Sequence, residues 1–107
     1  MVIIETPTFT RQILELLSDD AYRALQTSLI NRPEAGKLIP GGAGLRKHRF
    51  GAKGKGKRGG GRVIYYWIVD EEQILMLLAY PKNERDDVSK SQLETLTKLV
   101  KDYLYER

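Results

Sequence analysis

Apolar positions recur along the chain at changing periods. Residues 2–4 form a short apolar run that predicts a strand. Phe9, Ile13, Leu16 and Leu17 then fall at i, i+4, i+7 and i+8, the stripe of one buried helix face, with Thr8 placed to cap it. This spacing predicts a helix over 8–17. Ser18 offers a second cap, and Asp19 and Asp20 follow it where carboxylates meet the positive end of a helix dipole. Tyr22, Leu25 and Leu29 continue this second helix until Asn31 and Pro33 stop it. Glycine and proline between residues 35 and 44 predict a connecting loop. Residues 45–50 alternate charge with bulk, 62–69 are β-branched and aromatic, and 74–80 are continuously apolar, which together predict three strands. A turn at Asp70 and Glu71 joins the latter two as an antiparallel hairpin. Ser89 and Gln92 have the spacing of a capping box, and Leu93, Leu96, Val100 and Leu104 form the apolar face of a final helix. The predicted fold class is α+β, with helices on one face of an antiparallel sheet and the opposite face free for function.

A length of 107 residues, 41% of them hydrophobic and 30% charged, fits a single packed domain over 1–107 and argues against disorder. No stretch approaches the roughly 18 apolar residues of a membrane span. At the start, Glu5 and Pro7 stand where a signal peptide needs a basic end and a long apolar run. The expected setting is cytoplasmic, with no membrane partner. The absence of cysteine excludes disulfides and thiol chemistry, and one histidine argues against a His-built metal site. No metal and no cofactor are expected. Lysine, arginine, tyrosine and carboxylates are left to carry any chemistry.

The net charge of +4 conceals a segregation. Residues 46–62 hold Arg46, Lys47, Arg49, Lys53, Lys55, Lys57, Arg58 and Arg62 without one acidic residue, which leaves ten basic against fourteen acidic residues elsewhere, a net of −4. Such a cluster suits a polyanion, because phosphates gain counterion release and charge-assisted hydrogen bonds. All ten glycines lie between Gly36 and Gly61, so the flexible backbone coincides with the charge. Residues 51–58 come close to a phosphate-binding P-loop, but Arg58 stands where Ser or Thr would hold magnesium, and a strand follows where a helix N-terminus is needed. What remains is a cationic loop able to wrap a phosphodiester backbone, against the plainer reading of a solvated connection.

Within that region Lys47 and Arg49 are two residues apart on a strand and project from one face, with His48 and Phe50 on the other. His48 titrates near neutrality, yet its company with Phe50 marks it as a partly buried structural histidine. Arg62 opens the next strand directly after three glycines, and its planar, permanently charged fork matches phosphate geometry. Tyr65, Tyr66 and Trp67 are able to stack bases, but alternation sends at least one of them into the core. Tyr80, Lys82, Asn83, Glu84 and Arg85 sit where the last strand has ended and the final helix has not begun, a place for polar side chains to converge.

The run Gly44-Leu45-Arg46-Lys47, the loop ending Lys57-Arg58-Gly59-Gly60, the strand Arg62-Val63-Ile64-Tyr65-Tyr66 and the segment Tyr80-Pro81-Lys82-Asn83-Glu84 resemble the RelE superfamily of toxins, closest to its HigB-like branch. The motifs cover about residues 44–88, and the element order extends the likeness along the chain. The resemblance implies a RelE-like fold and the toxin of a type II toxin–antitoxin module. It also implies a ribosome-dependent endoribonuclease that cleaves translated mRNA in the A site by metal-independent attack of the 2′-hydroxyl, and so inhibits translation. The implied partners are the ribosome with its mRNA and a HigA-like, DNA-binding antitoxin, with the toxin monomeric on its own. By resemblance Arg62 is the phosphorane stabiliser, with Lys47 and Arg49 on the preceding strand and Lys82, Tyr80 and Glu84 around the end of the last. Arg46, Lys53, Lys55, Lys57 and Arg58 are the expected contacts to RNA and ribosome. Where the best-known RelE enzymes carry an arginine near the end of the last strand and a tyrosine before the final helix, this chain has Asn83 and Ser89. Two other readings use the same residues: a ParE-like gyrase inhibitor of the same fold, and a noncatalytic RNA-binding module.

Overall fold

The first helix starts one residue before the expected 8–17, and its cap lies two residues earlier than expected. Thr6, not Thr8, is the cap: its hydroxyl accepts from the Phe9 amide at 3.1 Å, and Pro7 takes the first helical position, where its missing N–H costs nothing. In the computed structural model, which describes residues 1–51, 60–84 and 87–106, the elements are β1 (Val2–Glu5), α1 (Pro7–Leu16), α2 (Asp19–Asn31), β2 (Lys37–Leu38), β3 (Arg46–Phe50), β4 (Gly61–Ile68), β5 (Gln73–Pro81) and α3 (Lys90–Glu106). Ser18 caps α2 as expected, accepting from the Ala21 amide at 3.1 Å. Ser89 and Gln92 form the reciprocal capping box of α3, at 3.1 and 3.3 Å.

The five strands form one sheet in the order β1-β5-β4-β3-β2. It is mixed, which corrects the expectation of an antiparallel sheet: β1 runs parallel to β5, and the other pairings are antiparallel. The α1–α2 hairpin carries the chain away from β1, and β2 enters at the far edge of the sheet. β2 itself lies in the segment expected to be a loop, a two-residue strand that pairs Lys37 with Lys47 and Leu38 with Arg46.

Helices cover both faces of this sheet, so the expectation of one free face is also corrected. Phe9 and Ile13 of α1 and Leu25 and Leu29 of α2 pack on Val63, Tyr65, Ile74, Met76 and Ala79. Leu96 and Val100 of α3 pack on the opposite side, against Ile64, Ile68, Leu75, Leu78 and Tyr80. The reason is visible in β5, where every residue from Ile74 to Tyr80 is buried. A strand apolar on both sides needs cover on both sides.

A β-bulge interrupts the β4–β5 ladder. Ile64 pairs with Leu78 and Tyr65 with Met76, so Leu77 is the extra residue, and Leu77 and Leu78 both face α3. The bulge inverts the alternation for the rest of β5. Tyr80 would otherwise point towards α1; it points to the α3 face instead.

Polar side chains tie the helical layer to the sheet. The Glu5 carboxylate accepts from Thr10 at 2.6 Å and from the Tyr22 hydroxyl at 2.5 Å, and burial together with that carboxylate pushes the Tyr22 phenol far above its ordinary range. The Tyr65 hydroxyl donates to the Pro33 carbonyl at 2.7 Å and accepts from the Gly36 amide at 2.9 Å, which fastens the α2–β2 connection to the centre of the sheet. Gly36 has to be glycine, because a Cβ there would lie 2.8 Å from the Tyr65 ring and hydroxyl. Tyr65→Phe is expected to lower stability by about 1–2 kcal/mol in urea titrations, since it orphans a buried N–H and a buried carbonyl together.

Candidate active site

The register places the candidate residues more sharply than alternation does. Arg49 of β3 lies opposite Arg62 of β4, which lies opposite Tyr80 of β5, making one row across three strands on the α3 face. Lys47 belongs to the next row, opposite Ile64, which in turn pairs with Leu78. His48 and Phe50 face the α1–α2 layer, as expected. The bulge in β5 is what completes the row, because it turns Tyr80 towards the side that Arg62 occupies.

Burial grades the cations. Arg62 is 4% exposed, the only buried charged side chain among the described residues, and its Nη1 donates to the Gly61 carbonyl at 3.2 Å. The Lys47 side chain is 22% exposed, and Arg49 lies at the surface. Directly opposite residues of an antiparallel pair have Cβ atoms roughly 5 Å apart, so two guanidinium-bearing residues stand side by side in the middle of a sheet. Like charges in that position oppose folding, and apolar residues of similar size would serve the core better. The arrangement concentrates positive potential at a partly desolvated surface, where it suits a phosphate or a developing phosphorane.

The connection from β5 to α3 borders this row. The Lys82 amide donates to the Gly60 carbonyl at 3.2 Å and the Glu84 amide to the Pro81 carbonyl at 3.1 Å, which folds residues 81–84 into a turn with Lys82, Asn83 and Glu84 exposed. Further along, the Asp87 carboxylate forms an ion pair with the Lys47 ammonium. Sequence reasoning missed Asp87. Its one signal was an acidic side chain in a turn beside a cationic strand, and nothing local pairs residues forty positions apart.

Not every expected residue joins the row. Tyr80 does, but as a buried residue, 1% exposed. Arg46 has the opposite parity: it pairs with Tyr65 on the α1–α2 side, and its Nη1 donates to the carbonyls of Glu34 and Gly36 at 3.1 and 2.8 Å. That is the work of an arginine holding a loop. Lys53, Lys55, Lys57, Arg58 and Arg85 lie outside the described residues. Of the three consecutive aromatics, Tyr65 is core, while Tyr66 and Trp67 are half-buried on opposite faces; none shares the row of Arg62. Clefts of about 680 and 540 Å³ flank α3, one against Pro40 and Gly41 and the other against Pro7, Leu77 and Leu78, and neither includes the cationic row. Among the described residues no group of three or more His, Cys, Asp or Glu is gathered closely enough to hold a metal ion, and no helix is long and apolar enough to cross a membrane.

The His48 ring is half-buried, and burial pushes its pKa below the ordinary value of 6.5. The folded state therefore favours the neutral ring. Above pH 6.5 neither state is protonated there and its stability contribution is intact; as pH falls through 6.5 towards the folded value, the unfolded chain takes up the proton first and stability is lost. Urea titrations between pH 5 and 7 are expected to show that loss in the native sequence, with a slope below about 1.4 kcal/mol per pH unit, and a flatter profile in His48→Gln.

The family model describing the RelE toxin of the RelE/RelB toxin–antitoxin system matches residues 3–106. The chain belongs to the RelE toxin family. The match runs from β1 to the end of α3, so both cores and the whole Arg49–Arg62–Tyr80 row lie inside it. The order of strand, two helices, mixed five-stranded sheet and C-terminal helix is the RelE-like fold. A RelE-family toxin is one member of a toxin–antitoxin pair, which implies a cognate antitoxin as partner.

Proposed function

We propose that this RelE-family toxin, acting as a single RelE-like domain of the HigB-like branch, is a ribosome-dependent endoribonuclease that cuts mRNA in the A site. The observation that carries the reading is the buried Arg62 held between Arg49 and Tyr80 on the sheet face that Lys47 shares. In the reaction the ribose 2′-oxygen bonds to the adjacent phosphorus, a pentacoordinate phosphorane forms, and the bond to the 5′-oxygen breaks. The products are a 2′,3′-cyclic phosphate and a 5′-hydroxyl. One proton leaves the 2′-hydroxyl and one reaches the 5′-oxygen.

Arg62 supplies a fixed fork to the equatorial oxygens, where charge grows in the transition state, and a guanidinium already desolvated has little to reorganise. Arg49 and Lys47 hold the strand and orient the 2′-hydroxyl. Tyr80, buried beside Arg62, braces it. Lys82 and Glu84, exposed just beyond β5, are the groups we assign to give and to take protons. Lys53, Lys55, Lys57 and Arg58 would meet ribosomal and messenger phosphates, with Arg46 serving mainly to hold its own loop. A HigA-like, DNA-binding antitoxin would neutralise the toxin.

Primer extension on translated messages after inducing the toxin tests the proposal. Cuts within translated codons, with 2′,3′-cyclic phosphate ends, are expected. Uncut messages accompanied by double-strand DNA breaks would instead identify a gyrase inhibitor, and RNA binding without either outcome a noncatalytic module.

A further inference from the structure

The fold does not account for the ion pair between Lys47 and Asp87. The Asp87 side chain is 73% exposed and that of Lys47 22%, a setting in which such pairs contribute about 0–1 kcal/mol. Stability is a weak reason to link β3 to the residue three positions before α3. Geometry offers a stronger one. A lysine is a point charge on a flexible four-carbon stem, with no rigid fork to aim itself, unlike the arginines in the neighbouring row. Lys47 lies one row from Arg62, so its ammonium reaches the scissile phosphate only from a subset of its rotamers. A carboxylate that takes up one of its N–H donors restricts the ammonium to a few rotamers and so fixes where its charge lies.

We infer that Asp87 is a positioning residue of the active site, anchoring the Lys47 ammonium beside the Arg49–Arg62–Tyr80 row so that it meets the scissile phosphate of a bound RNA strand. The inference rests on the endoribonuclease reading. Asp87 acts through Lys47 and does not touch the reacting atoms. It also gives the β5–α3 connection a purpose: just before α3 begins, Asp87 is tied to Lys47 of β3.

The test uses purified full-length toxin and ribosomes programmed with one cleavable codon, followed in single-turnover reactions across ribosome concentrations. Asp87→Asn, nearly isosteric and at an exposed position, is expected to lower the saturating cleavage rate about 10-fold while the half-saturating concentration stays within about 2-fold. Asp87→Glu is expected to recover most of the rate. In a Lys47→Ala background, Asp87→Asn is expected to add no further loss, because the two residues act as one unit. An unchanged rate overturns the inference. So does a raised rate, which would make Asp87 a stand-in that RNA phosphate displaces, and so does an equal loss with and without Lys47. Arg62→Ala run in parallel separates the two levels. If the native toxin itself leaves the message uncut, the endoribonuclease reading fails; if the native toxin cleaves and Arg62→Ala is dead while Asp87→Asn is fully active, only the role of Asp87 is lost.

Discussion

Arg62→Ala is expected to lower the rate of mRNA cleavage by a factor of about 100–1,000 and to abolish growth arrest, with ribosome binding weakened far less. The magnitude follows from the loss of one preorganised electrostatic contact to a developing oxyanion in a desolvated site, worth about 2.7–4 kcal/mol of transition-state stabilisation. The asymmetry between rate and binding follows because the remaining cations still hold the strand, whereas among the described residues only Arg62 combines a planar fork with burial at 4% exposure. Arg62→Lys keeps the charge and loses the fork, so it is expected to recover only a small part of the rate. Saturation kinetics on programmed ribosomes checks both variants. A rise confined to the half-saturating concentration would make Arg62 a binding residue, and a cleavage rate like that of the native toxin would remove the basis of the proposed mechanism.

Arg62 was legible in the sequence because the signals that mark it are local. Charge clustering, the preceding glycines and the family motif all lie within a few residues of it, and period-two alternation separated Lys47 and Arg49 from His48 and Phe50 correctly. The features that complete the candidate site are not local. Tyr80 turns towards Arg62 only because Leu77 is an extra residue in the ladder with β4, and no period in residues 74–80 reveals a bulge in so uniform an apolar run. The same run did contain a message that alternation obscured: a strand apolar at every position needs two covered faces, which is why α3 lies where an open surface was expected. The parallel pairing of β1 with β5 and the contact of Asp87 with Lys47 join parts of the chain far apart in sequence, and the residues involved carry no mark of their partners. The shift of the first cap from Thr8 to Thr6 is a smaller matter, decided by Pro7, which takes the first helical position.

The second large effect is expected one residue before Arg62. Gly61 pairs with Phe50 on one side and Pro81 on the other, and a Cβ built on it would lie 2.4 Å from the Tyr80 carbonyl oxygen and 2.8 Å from Cζ of Phe50. The ring could turn aside, but the carbonyl belongs to the backbone of β5 and cannot. Gly61→Ala must therefore push β4 and β5 apart at the point where Arg62 and Tyr80 face each other. Overpacking of this kind costs about 3 kcal/mol at the upper end of its usual range. Displacement of the guanidinium by about an ångström is expected to lower cleavage roughly 100-fold even in the fraction that stays folded. Thermal unfolding followed by circular dichroism, beside cleavage assays at a temperature where the variant is folded, separates the two losses. Gly51→Ala is the matched control, since a Cβ there meets nothing within 4 Å among the described residues, and it is expected to leave stability unchanged. Adding Phe50→Leu to Gly61→Ala relieves the contact with the ring but not the one with the carbonyl. The double variant is therefore expected to regain some stability and little activity. Recovery of both together would show that ring crowding alone was at fault, and that the backbone of β5 does not set the position of Arg62.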